Sequence, residues 1–211
     1  MNKNLSEIII ILDRSGSMAH LESDTIGGYN SLLKKQLATE GEACVTTVLF
    51  DDKVDIIHDN VDITKIPYLT SKEYYARGAT ALMDAIGKTI SLVNNRHRFA
   101  PESLVPHKTL VVIITDGCEN ASCEYTIRQI KKLIERQKEK YHWEFLFLGA
   151  NMDAISAAGD IGIATEYAAT YQADSIGVQA NFDALDCAVS SVRASRPITT
   201  EWKRKIENRK N

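Results

Sequence analysis

Five branched apolar residues in succession, Ile8 to Leu12, stop abruptly at Asp13. Such a run, with no polar alternation, predicts a strand buried on both faces of a parallel sheet. Lys108 to Thr115 and Trp143 to Leu148 repeat the pattern, and Ala168 to Tyr171 predicts a further short strand. Cys44 to Phe50 is a β-branched strand, and the turn Asp51-Asp52-Lys53 returns it as Val54 to His58. So short a connection implies an antiparallel hairpin with its second member at the sheet edge. Two adjacent acids there are read as a solvated turn rather than as metal ligands.

Between these strands the apolar spacing becomes helical. Leu21, Ile26, Leu32, Leu33 and Leu37 predict a helix over 20–38, weakened by Gly27-Gly28, which are read as close packing of helix on sheet. Leu82, Ile86, Ile90 and Val93 form the next apolar face, with Asp84 favourable to the helix dipole in its first turn. Residues 125–140 predict an amphipathic helix with Ile127, Ile130, Leu133 and Ile134 inward. A short helix is expected over 154–159. A long one is expected over 175–194, with Phe182, Leu185, Val189 and Val192 inward and Asp174 or Ser175 as cap. Residues 61–75 read as a connection with short turns. Residues 94–107 read as a polar surface loop, in which Arg96-His97-Arg98 is a solvated charge run. Strands alternating with helices predict an α/β fold with a mostly parallel sheet wrapped by helices.

The chemistry collects where the first strand ends. Asp13-Arg14-Ser15-Gly16-Ser17 brings one carboxylate and two hydroxyls to the carboxyl edge of a central strand, where open α/β sheets bind ligands. Hard oxygen donors of this kind suit Mg2+ or Mn2+ better than zinc or copper. The pattern Asp-x-Ser-x-Ser resembles the metal-ion-dependent adhesion site of von Willebrand factor A domains. Gly78-Ala79-Thr80-Ala81-Leu82-Met83-Asp84-Ala85 is similar to that family's Gly-x-Thr-x-Leu-x-Asp-Ala segment. Val111-Val112-Ile113-Ile114-Thr115-Asp116-Gly117 is similar to its strand followed by Thr-Asp-Gly. The resemblance, which spans roughly residues 5 to 195, implies a metal set of Asp13, Ser15, Ser17, Thr80 and Asp116. It also implies a Rossmann-like three-layer sandwich with strand order 3-2-1-4-5-6 and strand 3 antiparallel. Arg14 and Met18 would lie on the rim of the contact.

An ion held mainly by neutral hydroxyls keeps an open, electrophilic position, and a partner's Asp or Glu carboxylate can take it. The resemblance therefore implies a metal-dependent protein-binding module rather than an enzyme. A Gly-Ala-Asn-x-Asp-Ala segment after Leu148 is similar to small stand-alone cytoplasmic bacterial members, some associated with tellurite resistance or phage. Cys118 and Cys123 depart from the charged residues usual beside Asp116, and are read as ordinary reduced thiols.

The 211 residues fit one domain, expected over 1–196 with a basic, solvated tail over 197–211. A formal charge of −3 gives no reason to expect nucleic acid or an acidic membrane surface as partner. No apolar run approaches a bilayer's thickness, no signal peptide is apparent, and four scattered cysteines suggest no disulfide framework. A cytoplasmic monomer is the expectation. The alternative is a Mg2+-dependent phosphotransferase or hydrolase on a Rossmann-like fold, in which the first Asp is a nucleophile. That chemistry needs a second acid two residues later to shuttle protons, and Ser15 stands there. A third reading has the metal capped by the chain's own Glu119.

Overall fold

The computed structural model describes residues 1–150 and 153–207. A six-stranded sheet runs in the order β3-β2-β1-β4-β5-β6. Its strands are β1 (Asn2–Asp13), β2 (Glu42–Phe50), β3 (Val54–Asp62), β4 (Pro106–Thr115), β5 (Glu144–Ala150) and β6 (Ala168–Tyr171). All neighbours pair in parallel except β2 and β3. This is the Rossmann-like arrangement that the family resemblance implies, with β1 at the centre.

The unbroken isoleucine run has a simple reason: both faces of β1 are covered. Ile8, Ile10 and Leu12 pack on one side with residues of α1 (Glu22–Leu37) and α5 (Ser175–Arg193). Ile9 and Ile11 pack on the other with α2 (Leu82–Phe99), α3 (Ile127–Tyr141) and α4 (Ala154–Asp160). Truncating any of these isoleucines to Ala would open a cavity costing about 2–5 kcal/mol.

Several local expectations are corrected. Helix α2 continues through residues 94–99, so the polar segment before β4 is mostly helix. Arg96 and His97 are not a solvated run: both reach the fully buried Glu7 of β1, His97 Nε2 lying 2.6 Å from its carboxylate. Ile127 and Leu37 are exposed, while Ile130 and Ile134 carry the apolar face of α3. Gly28 packs against a helix rather than the sheet; a Cβ there would lie 2.1 Å from the Phe182 ring of α5. Asp174 is the cap of α5, accepting from Gly177 N–H.

The chain beyond Pro197 is not a solvated tail, at least to residue 207. Ile198, Trp202 and Ile206 join the core beside α5. Here α6 (Arg204–Glu207) follows a 3-10 turn in which Lys203 Nζ donates to the carbonyls of Thr165 and Ala168. The tail residues Arg209 and Lys210, and Asn151 of the Gly-Ala-Asn segment, lie outside the described residues. No helix among the described residues is long and apolar enough to cross a membrane.

Candidate functional site

At the carboxyl edge of the sheet, three loops meet around the end of β1. Leu12 pairs with Ile114, so Asp13 and Thr115 end neighbouring strands side by side. Thr115 Oγ1 donates to Asp13 Oδ2 at 2.5 Å, and the Ser15 amide donates to Oδ1 at 2.7 Å. Ser15 Oγ lies 3.1 Å from Ser17 Oγ, which donates to Asp116 Oδ1 at 2.6 Å. Asp13, Ser15, Ser17 and Asp116 thus form one continuous polar chain.

Thr80 comes in from the loop before α2. Gly117 passes so close that a Cβ there would lie 3.1 Å from Thr80 Oγ1 and 3.7 Å from Ser17 Oγ. A side chain at Gly117 would therefore crowd the Thr80 hydroxyl, while Ser17 lies at ordinary contact distance. All five residues named from the sequence are therefore brought to one place. Asp13, Ser15 and Thr80 are buried, Asp116 is half-buried and Ser17 is exposed, which leaves the cluster a mouth on solvent.

The electrostatics of this cluster are set by burial against neutral donors. Burial pushes the Asp13 carboxyl up to about 6, against the pull of the Thr115 and Ser15 hydrogen bonds and with a further rise from Asp116. Burial also raises Asp116, which the Ser17 hydroxyl, a backbone hydrogen bond and the His20 side chain counteract. Two carboxylates sharing a partly dry site, served by neutral donors, would both be relieved by a divalent ion. The donor set fits a hard cation: two carboxylates and three hydroxyls, all oxygen. Among the described residues no three His, Cys, Asp or Glu side chains gather to hold a metal, so an ion here would depend on the hydroxyls.

Around the cluster lie residues whose part was not read from the sequence. Thr115, read from the sequence as the last residue of a strand, donates its hydroxyl to Asp13. Buried Tyr74 donates its hydroxyl to the Asp13 carbonyl at 2.6 Å from a stretch read as a connection. Asn120 forms a reciprocal pair with Thr80, its Oδ1 accepting from Thr80 N–H at 2.8 Å and its N–H donating to Thr80 O at 3.1 Å. Its place in Gly-x-Glu-Asn-Ala-Ser was the available signal.

Two rim assignments fail. Arg14 is buried, its Nε donating to Asp51 Oδ2 at 2.8 Å, and Met18 is buried in the core. Asp51 is accordingly not a solvated turn acid; it is fully buried under Arg14 and Arg77. Glu119 faces away from any role as an internal metal cap. Its carboxylate accepts from the amides of Met83, Ala121 and Ser122 and from the Ser122 hydroxyl, beside the start of α2. Asp84 is structural as expected, receiving the amides of Cys123, Glu124 and Tyr125. Cys118 and Cys123 are exposed free thiols.

No protein-family model matches the sequence, and no curated protein matches it. Solved structures do. The vWF domain of the type V pili tip protein Mfa5 from Porphyromonas gingivalis superposes with a TM-score of 0.62 at 10% identity, covering 90% of this chain and 96% of that one. A von Willebrand factor type A protein from Catenulispora acidiphila gives 0.59 at 12% identity over 90% of this chain and 43% of that one. Proximal thread matrix protein 1 from the mussel byssus, in a form with a zinc-occupied MIDAS motif, gives 0.60 at 15% identity over 89% and 46%.

The chain has the von Willebrand factor A fold.

The chain spans less than half the length of several structures it matches. In the mussel protein a divalent metal occupies the motif that the Asp13–Ser17 segment resembles. Identities this low carry the fold alone.

Proposed function

We propose that this vWA chain is a metal-dependent protein-binding module whose ion is held by Asp13, Ser15, Ser17, Thr80 and Asp116. The observation that carries this reading is the buried Asp13 carboxylate. It is raised by desolvation, served only by neutral donors, and linked through Ser15 and Ser17 to Asp116 at a solvent-open edge. Mg2+ or Mn2+ would suit this oxygen set, with Mn2+ bound more tightly by the usual divalent order. When bound, the ion supplies a Lewis-acid position for an external oxygen ligand.

The chain's own part is to hold that position open. Asp13 is fixed from below by Thr115 and Ser15. Ser17 is the most exposed donor, and Thr80 is pinned by Asn120. A carboxylate from a partner's Asp or Glu is the ligand such a site would favour, since charge-assisted oxygen contacts gain most where water is partly excluded. The phosphotransferase alternative would need a second acid or a base in contact with Asp13, whereas its carboxylate accepts from the Thr115 hydroxyl and the Ser15 backbone amide.

Calorimetric titration of Mn2+ into the wild-type chain and into Asp13→Ala tests the ion. Binding in the first and none in the second is expected, and equal binding in both would remove Asp13 from the site. Capture of a protein partner that disappears with chelator, returns with Mg2+ and is lost in Asp116→Ala tests the binding role. Capture that survives both treatments would move the contact to another surface.

A further inference from the structure

The loops carrying Asp13 and Thr80 come from distant parts of the chain, and one buried carboxylate stands between them. Asp51, the first residue after β2, is fully buried. Its Oδ2 accepts from Arg14 Nε at 2.8 Å and from Arg77 Nε at 2.7 Å. Its Oδ1 accepts from the Lys53 amide at 2.8 Å, which fixes the carboxylate's orientation. Its main-chain carbonyl accepts from the Ala81 amide at 2.8 Å.

The partners are what matter. Arg14 lies between Asp13 and Ser15, while Arg77 and Ala81 bracket Thr80. The two loops also touch directly, Arg77 N–H donating to Arg14 O at 2.8 Å and Gly16 N–H to Gly78 O at 3.1 Å. Gly78 makes this contact with φ of 67°, where a Cβ would meet the Asp52 carboxylate at 2.2 Å. The two guanidiniums are balanced by Asp51 and by Asp55, which contacts both, so the cluster adds little net charge beside the site.

We propose that Asp51 is a positioning residue for the metal site: clamped between Arg14 and Arg77, it sets the spacing between the Asp13–Ser17 loop and Thr80. The inference rests on the metal reading above and names the element that keeps its two halves in register. Asp51 touches none of the five donors. Groups behind metal ligands commonly tune affinity by orienting them.

The test compares Asp51→Asn, Thr80→Ala and the double variant by Mn2+ calorimetry, together with amide hydrogen exchange of the metal-free chain. Asp51→Asn is expected to weaken Mn2+ binding about tenfold. It should add nothing further in the Thr80→Ala background, because both changes act through one hydroxyl. In the metal-free chain the Arg77 and Ala81 amides should exchange faster. Arg77→Lys keeps the charge, loses Nε and sits at a part-exposed position, so it carries the same test in smaller measure if Asp51→Asn does not fold. Wild-type Mn2+ affinity and amide exchange in both variants would overturn the positioning role and leave the metal site intact. Weakening that adds to Thr80→Ala with unchanged exchange would make Asp51 only a neutralising charge, and would equally overturn it. A wild-type chain that binds no Mn2+ would overturn the metal reading and this inference together.

Discussion

Strand β1 buries two carboxylates six positions apart, and the fold treats them in opposite ways. Glu7 lies towards the amino-terminal end and is fully buried. Arg96 and His97 of α2 contact one oxygen each, and Thr46 Oγ1 adds a hydrogen bond at 3.2 Å. Asp13 ends the same strand and is equally buried, yet it receives only a hydroxyl and an amide. A buried acid supplied with a guanidinium and an imidazole from its own chain is part of the architecture. One left with neutral donors, and raised to about 6 by its burial, is a place where a bound cation would add the compensation that the chain does not supply.

The contrast makes its largest demand at Glu7. Glu7→Ala is expected to cost about 3 kcal/mol, the low end for breaking a buried pair, because Arg96 keeps Asp59 as a second partner. Chemical denaturation with and without Mn2+ should give the same loss, since this end of the sheet takes no part in the site. Asp13→Asn should behave in the opposite way. Without metal it should be as stable as wild type or more so, because it removes an uncompensated buried charge. Mn2+ at a hundredfold excess over its Kd should raise wild-type stability by about 2.7 kcal/mol and leave Asp13→Asn unmoved. If Asp13→Asn instead unfolds the metal-free chain as readily as Glu7→Ala does, Asp13 is architecture too.

This contrast also marks what could be read in the sequence. The isoleucine run and the buried strands were legible because each is a local pattern, and the three loop segments because they resemble those of von Willebrand factor A domains. The five candidate residues lie close together, as that resemblance implies. Arg96, His97 and Asp51 were misread because their meaning lies in partners far along the chain. Glu7 is 89 residues from Arg96, and Arg14 is 37 from Asp51. A charge run looks the same locally whether it meets water or a buried acid. The segment after Pro197 offered a better clue, since Ile198, Trp202 and Ile206 recur every four residues. The neighbouring basic residues masked that period.

Asp84 sharpens the comparison with a third solution, compensation mainly by backbone amides. Burial by itself would raise its carboxyl. The amides of Cys123, Tyr125 and Glu124, with Lys88 nearby, more than reverse this and hold it below the usual range. A carboxyl depressed in the folded state stabilises above its unfolded value, near 3.9, and loses that contribution as pH falls through the folded value. Asp84→Asn should therefore cost about 1.5 kcal/mol at pH 7. The gap to wild type should close in strong acid, as read from denaturation midpoints across pH. A gap that stays constant with pH would mean the carboxylate's charge is not what holds the loop before α3.

The smallest effect is expected at Thr115, and it tests whether neutral donors really fall short of charged ones. Its hydroxyl donates to Asp13 Oδ2 and accepts from the Gly117 amide at 3.3 Å. Thr115→Val keeps the shape and β-branching that suit β4 while removing both contacts. In the metal-free chain, Asp13 would then keep only the Ser15 amide among its two donors. The expected loss is about 1 kcal/mol, since a hydrogen bond exchanged for water contributes little net stability. This is well below the loss at Glu7 even though both carboxylates are buried in the same strand. A loss at Thr115 as large as that at Glu7 would mean that a hydroxyl compensates Asp13 as fully as a guanidinium compensates Glu7. The carboxyl edge would then be in balance already, with no deficit for a divalent ion to fill.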